Sequence, residues 1–214
     1  MKIISQSLRC AAVLMAASVL VFSSPAFAKD KGDLLVRLRG SAFISDNDGT
    51  TDLHGGDAVT SDAVMPELDF TYFFTENIAA ELILATFTHN VEVKNSSAGN
   101  LDLGDVSSLP PTLTFQYHFM PKETISPYLG AGINYTILYN EKAGTSANSV
   151  DYSNEFGWAL QAGVDYQLDD RWSLNFDVKK IFVETDIKVN GGAINANGTA
   201  LDPTVVSVGL GYRF

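Results

Sequence analysis

Cysteine is nearly absent from this sequence of 214 residues, which contains only Cys10. A single cysteine cannot form a disulfide within the chain. Basic residues are also scarce, with 14 Lys and Arg against 25 Asp and Glu and a formal net charge of −11. Because nucleic-acid binding needs a basic surface, we predict no nucleic-acid partner.

Long hydrophobic runs are absent too. The apolar run near the N-terminus covers residues 11–22, and no later run reaches the roughly 18 apolar residues that a spanning helix needs. Two basic residues precede this run, and a small residue stands on either side of Phe27 after it. This is the pattern of a secretory signal peptide. We therefore predict that residues 1–28 are a cleaved signal peptide and that residues 29–214 form a single domain with 12 basic and 25 acidic side chains, a formal charge of −13.

What the chain has in abundance is alternation. In residues 204–214 every second side chain is apolar, ending on Tyr212 and Phe214. A period of two predicts a strand with one apolar face, and the length matches the roughly 9–11 residues of a tilted membrane-spanning strand. A soluble sandwich strand could alternate in the same way. The terminal aromatic nevertheless resembles the C-terminal assembly signal of bacterial outer-membrane barrels, which implies the barrel-assembly machinery as a partner.

Seven further segments alternate similarly. With the last one, the predicted strands are 33–45, 65–74, 78–90, 112–119, 127–139, 158–166, 172–187 and 204–214. Long polar loops alternate with short turns between them, as in outer-membrane barrels with short periplasmic turns and long extracellular loops. We predict an all-β fold, an eight-stranded antiparallel transmembrane β-barrel in the outer membrane of a Gram-negative cell. Its surroundings would be outer-membrane lipids and lipopolysaccharide, and we expect a monomer.

The seventh strand departs from strict alternation. Lys180 would follow Val178 on the lipid face, and the apolar face resumes one residue later at Ile181. We predict a β-bulge near Lys179 and Lys180 that absorbs this slip.

Several segments also resemble one known family. Residues 68–82 resemble the second hairpin of the OmpW family of outer-membrane proteins, and residues 109–119, with LPPT and QYHF, are the most specific match. Residues 127–136 are similar to the family's fifth strand, and residues 202–204 to the start of its last strand. The resemblance implies an eight-stranded barrel that lets small hydrophobic molecules pass the outer membrane. The loops look divergent, so no particular solute is implied.

The inward faces of the predicted strands carry charge in their lower half. A charged residue facing lipid is costly, and an eight-stranded barrel has room inside for little more than its own side chains. We predict that these side chains neutralise one another and plug the barrel. They are Arg37, Arg39, Glu67, Asp69, Glu81, Gln116, His118, Asp165, Asp177 and Arg213.

Nearer the loops the inward faces become apolar, and two prolines follow the second loop. A ligand pocket and plain packing are both consistent with the apolar set Phe43, Phe87, His89, Leu138 and Val205. Proline cannot donate a ladder hydrogen bond, so Pro110 and Pro111 predict loose pairing with the third strand near residues 87–91, and a lateral opening. The alternative is that the prolines only end a loop.

Metal, cofactor and catalytic signals are weak. Residues 46–49, in the same loop as His54, resemble a calcium loop but lack the distal Glu; we predict no metal and no cofactor. A lipid-modifying enzyme needs Ser or His with a base in reach, and neither His89 nor His118 has a serine at strand spacing. We therefore expect a channel for passive uptake of small hydrophobic molecules. A structural or adhesive barrel is the alternative, and an enzyme comes third.

Overall fold

The computed structural model describes residues 29–45, 57–97, 99–189, 194–200 and 202–214. The predicted signal peptide and the possible calcium loop with His54 lie outside the described residues. Eight strands form the barrel: β1 Leu34–Ile44, β3 Ala63–Phe73, β4 Ile78–Ala85, β7 Thr112–His118, β8 Ile125–Ala143, β10 Glu155–Gln167, β11 Trp172–Phe182 and β14 Thr204–Arg213. Six lie beyond its outer end: β2 Asp57–Thr60, β5 Phe87–Ser96, β6 Gly99–Leu109, β9 Val150–Tyr152, β12 Glu184–Val189 and β13 Ile194–Ala200.

The eight barrel strands pair in chain order, each antiparallel to the next, and the last closes on the first. The closing ladder runs from Leu35↔Arg213 to Ile44↔Thr204 without a shift in register. Closure leaves no barrel edge strand, so backbone groups can be satisfied inside lipid. The predicted eight-stranded antiparallel barrel is confirmed. No helix in the described part of the chain is long and apolar enough to cross a membrane.

Large apolar side chains cover the outside of the barrel. Leu38, Phe115, Ile133 and Val208 are each 58–62% exposed. An exposed apolar band of this kind is typical of a surface that faces lipid chains. β5 and β6 carry none of the exposed large hydrophobic side chains, so these two strands lie above the apolar belt.

The predicted bulge in the seventh strand is wrong. β11 pairs with both neighbours in unbroken register, up to Lys180↔Thr204 on one side. Lys179 and Ile181 are both buried on the inward face, and the ammonium of Lys180 bonds the carbonyl oxygen of Asp202 instead. The sequence pattern therefore records a change of the inward face from polar to apolar, not an extra residue.

The predicted long loops are also partly wrong, because much of them is strand. β5 and β6 form a hairpin in place of the long loop predicted between the third and fourth strands, and β2 pairs along β5. β9, β12 and β13 form a separate three-stranded sheet. The missed signal is alternation among polar residues: Val91, Val93, Leu103 and Val106 are buried in one cluster.

Candidate functional site

The floor of the barrel is filled by a lysine that sequence analysis missed. Lys29 lies before the first strand, yet its side chain is 1% exposed. Its Nζ lies 2.7 Å from Oδ2 of Asp165 and donates to Ser126 Oγ at 2.9 Å. Nδ1 of His118 is 3.0 Å from the same ammonium, so the neutral imidazole there accepts a hydrogen bond. Lys29 therefore closes the periplasmic end from inside.

Glu81 is the centre of the next layer. Its Oε1 accepts hydrogen bonds from Arg37 Nη1 and Arg39 Nη2, both at 2.8 Å. Its Oε2 accepts from the amides of Gln116 and Gln161, both at 2.7 Å. A buried carboxylate is stable only when paired and hydrogen-bonded in this way.

Arg39 links that layer to the top of the charged region. Its Nη1 donates to Glu67 Oε1 at 3.0 Å, and its Nε lies 2.9 Å from Asp69 Oδ2. Gly209 is the ladder partner of Arg39 on β14, and a Cβ added there would come within 2.7 Å of the Arg39 Cα. Lys179 completes the layer, 3.2 Å from Glu67 Oε2.

We call this buried network the plug. Its described charged members are four cations and five carboxylates: Lys29, Arg37, Arg39 and Lys179, with Glu67, Asp69, Glu81, Asp165 and Asp177. Gln116, Gln161 and His118 lie among them. The charges nearly balance, so the interior is filled by ion pairs and leaves no apolar path to the floor.

Arg213 is not part of the plug, contrary to the prediction. Its side chain is 17% exposed, and its Nη1 lies 3.4 Å from Asp33 Oδ2 at the barrel rim. Its Nη2 donates to the carbonyl oxygen of Asp170 in the adjacent turn. Arg213 has the inward parity of the plug residues, but it ends the strand, so its side chain reaches the turns.

Above the plug lies a small, partly open cavity of about 40 Å3. We call it the solute pocket. Four of the five predicted residues line it, namely Phe43, Phe87, His89 and Val205. Most of the other lining residues were not predicted from the sequence: Thr60, Met65, Ile83, Ala85, Ser108, Thr112, Thr136, Ile181, Val183 and Pro203. Inward parity could have found several of them, such as Met65 and Ile181.

Leu138 is the exception among the five. It is buried in a second apolar cluster with Val91, Val93, Leu103 and Val150, built by β5, β6, β8 and β9. β8 is 19 residues long and continues past the barrel. Leu138 therefore points inward as predicted, but it lies above the solute pocket.

His89 belongs to the wall of the solute pocket. The side chain is 6% exposed, and Nδ1 has no hydrogen-bond partner among the described residues. Burial in this apolar wall lowers the pKa of His89 to about 4, although Asp105 raises it in part. Ser108 also lines the pocket. It lies opposite Phe87 in the ladder, and His89 lies opposite Val106, so Ser108 and His89 are diagonal neighbours. No hydrogen bond joins His89 to Ser108, so the described residues form no Ser–His dyad.

The barrel wall is interrupted beside the solute pocket. The β4–β7 ladder ends at Ile83↔Thr112, and the β5–β6 ladder begins at Phe87↔Ser108. Between these two ladders, three residues of one strand and three of the other are not paired with each other. We call this break the wall gap; it consists of residues 84–86 and 109–111.

Both prolines lie in the wall gap, and Pro110 lines the solute pocket. On the far side the wall is intact, because Tyr135 N donates to the Pro111 carbonyl at 3.0 Å. Thr86 belongs to no strand, and its hydroxyl lies 2.6 Å from the Tyr139 hydroxyl. The lack of proline N–H groups explains why this side of the ladder is open.

The predicted position of the loose pairing was too high. Residues 87–91 pair with β6, where His89 lies opposite Val106.

The comparisons with known proteins agree with this architecture. The family model described as the OmpW family matches residues 30–214. This chain belongs to the OmpW family. It is 44% identical over 182 residues to an uncharacterized outer-membrane protein, y4mB, of Sinorhizobium fredii, covering 84% of this chain and 79% of that protein. It is 34% identical over 203 residues to outer membrane protein W of Vibrio cholerae, covering 90% and 93%.

A solved structure has the same fold. The crystal structure of the outer membrane protein OprG from Pseudomonas aeruginosa superposes with a TM-score of 0.78 at 28% identity, covering 88% of this chain and 99% of that one. The chain is therefore an outer-membrane β-barrel protein of the OmpW family, and its predicted location in the outer membrane is confirmed.

Proposed function

We propose that this protein lets small hydrophobic molecules pass the outer membrane passively. The solute would rest in the solute pocket and leave sideways through the wall gap into lipid. The observation that carries the proposal is the position of an apolar cavity directly above a charged plug and beside an unpaired stretch of wall.

The plug explains why the route would not continue downward. An apolar solute would have to separate Arg37 from Glu81 and Lys29 from Asp165, which are paired at 2.8 and 2.7 Å. Separating buried ion pairs leaves uncompensated charges and costs several kcal/mol for each, roughly 3–5. A sideways exit avoids this cost.

The wall gap supplies such an exit at little cost. Its residues have no ladder hydrogen bonds to break between the two strands, and Leu84 is the last apolar outward side chain of β4. A solute passing there would move from one apolar surface to another. The partners that we propose for the protein are the solute and the outer-membrane lipids, including lipopolysaccharide. We propose that the protein acts as a monomer.

We propose no enzymatic role. The one histidine and serine that share the pocket are not hydrogen-bonded to each other, and His118 is held by Lys29 and Gln116 in the plug. A nucleophile needs a base within hydrogen-bonding reach. Purified protein should therefore not deacylate lipid.

A pocket-filling variant tests the uptake function. Ala85 is buried in the pocket wall, whereas Ala131 faces lipid on β8. Ala85→Trp should reduce the uptake of naphthalene by liposomes that contain the protein to the rate of protein-free liposomes, and Ala131→Trp should leave it unchanged. Equal uptake in both variants, or no uptake by the wild type, would contradict the proposal and favour a structural or adhesive barrel.

A further inference from the structure

One nitrogen of the solute pocket has no hydrogen-bond partner among the described residues. Nδ1 of His89 is buried in the wall without a hydrogen bond from any described residue. Two pocket hydroxyls are already engaged: Thr112 donates to the Pro110 carbonyl at 3.1 Å, and Thr136 donates to Asn134 Oδ1 at 2.7 Å. A buried polar atom without a partner is costly, so a ligand that satisfies it is favoured.

The wall around this nitrogen is aromatic. The rings of Phe43 and Phe87 have centroids 4.8 Å apart and are tilted by 45°. The His89 ring is nearly parallel to Phe43, at 11° and 6.1 Å. Such rings offer faces and edges for offset or edge-to-face packing, which favours a flat aromatic solute over a saturated one.

The described charged side chains of the pocket are all paired. Among the described residues that line it, the charged ones are Glu67 and Lys179. Lys179 Nζ lies 3.2 Å from Glu67 Oε2, and Glu67 Oε1 accepts from Arg39. A charged solute would lose its hydration without gaining a counterion, so the solute should be neutral.

We propose that the pocket selects neutral aromatic molecules that carry one hydroxyl group, of which phenols and naphthols are the simplest. The ring would lie against Phe43 and Phe87, and the hydroxyl would bond Nδ1 of His89. In a neutral imidazole one nitrogen donates and the other accepts, and a hydroxyl can do either. The inference rests on the proposed uptake function and adds the chemical class of the solute to it.

Two solutes of nearly equal shape separate this inference from the uptake function itself. Liposomes that contain the wild-type protein are given 2-naphthol or 2-methylnaphthalene, and each rate is divided by the rate for protein-free liposomes. The protein-dependent rate ratio should favour 2-naphthol by about fivefold, the value of one net hydrogen bond. Equal enhancement of both solutes would overturn the hydroxyl selectivity and leave the uptake function standing. Enhancement of neither would contradict the uptake function.

Variants at position 89 identify the responsible atom. In His89→Phe the protein-dependent rates for 2-naphthol and 2-methylnaphthalene should become equal, because the hydroxyl loses its partner. His89→Asn, whose amide lies near the position of Nδ1, should retain the preference. Each variant is first checked for the compact band of unheated protein on SDS gels, which reports a closed barrel. A preference that survives in His89→Phe would overturn the inference.

Discussion

Nζ of Lys29 lies 2.7 Å from Oδ2 of Asp165, although the two residues are 136 positions apart in the chain. The contact places the start of the described chain inside the barrel that the rest of the chain forms. Asp165 also accepts a two-pronged hydrogen bond from Arg37, at 3.2 and 2.9 Å. Removal of Lys29 would therefore change the balance of positive and negative charge around Asp165 at the floor of the barrel.

Lys29→Met should lower the free energy of unfolding by about 3–5 kcal/mol, because it leaves a buried carboxylate short of one cation. Lys31→Met is the matched control, since Lys31 is exposed in the same segment, and it should cost well under 1 kcal/mol. Denaturant unfolding in detergent, followed by tryptophan fluorescence, measures both. Equal stability of the two variants would show that Lys29 does not belong to the plug.

The position of Lys29 also marks a limit of sequence analysis. Period-two alternation gave the eight barrel strands and the inward parity of Arg37, Arg39 and Glu81, because each strand residue must face either lipid or interior. Lys29 precedes the first strand, so no alternation indicates its direction.

Height along the barrel was the second limit. Parity gives the face of a residue but not its level, which depends on strand tilt and register. Arg213 and Leu138 therefore have the predicted parity, yet one lies at the rim and the other above the pocket. Pro110 and Pro111 predict that the pairing of this wall is interrupted. Which residues lie opposite them could be known only from the strand register of the structure.

Glu81→Gln should destabilise the barrel more than any exposed carboxylate change. Oε1 of Glu81 pairs with both Arg37 and Arg39. A neutral amide there would leave each of these two buried cations with one negative partner fewer, at a cost of about 3–5 kcal/mol. Glu76→Gln removes a carboxylate from an exposed ion pair with Lys122, which contributes at most about 1 kcal/mol. Denaturant midpoints in one detergent compare the two, and a smaller loss for Glu81→Gln would contradict the hub role.

Deletion of Phe214 should reduce the amount of protein assembled in the outer membrane far more than Phe43→Ala does. Phe214 is 72% exposed at the lipid face, and its N–H donates to the Leu34 carbonyl at the closing seam. Phe43 lies in the pocket, where truncation leaves the strand ends intact. Surface levels measured by antibody against an added loop epitope decide the point; equal levels would remove the assembly role assigned to the terminus.

The pH dependence of uptake follows from the lowered pKa of His89, about 4. Because this pKa lies below the ordinary value of about 6.5, His89 stays neutral from pH 8 down to about pH 5. Uptake of a neutral solute should be constant over that range and should fall as His89 gains charge near pH 4. Among the described residues, the charged groups that line this wall or act on His89 are Asp105, Glu67 and Lys179. His89→Phe should remove the fall, and a wild-type fall near pH 6.5 would contradict a buried His89.

Lateral exit requires that the two strands on either side of the wall gap can separate. The mature sequence is predicted to contain no cysteine, so introduced cysteines can be paired without competition. Thr86→Cys with Leu109→Cys would join the two strands across the gap, because these positions lie opposite each other when the register of either ladder is extended. Leu82→Cys with Leu113→Cys joins residues that are already ladder partners and serves as the control.

The most direct test is the rate of naphthalene uptake by liposomes that contain each double variant, measured oxidised and then reduced. We predict that the oxidised 86–109 variant loses its protein-dependent uptake and recovers it on reduction, whereas the 82–113 variant takes up naphthalene equally in both states. An 86–109 variant with a verified disulfide that still takes up naphthalene at its reduced rate would contradict lateral exit through the wall gap.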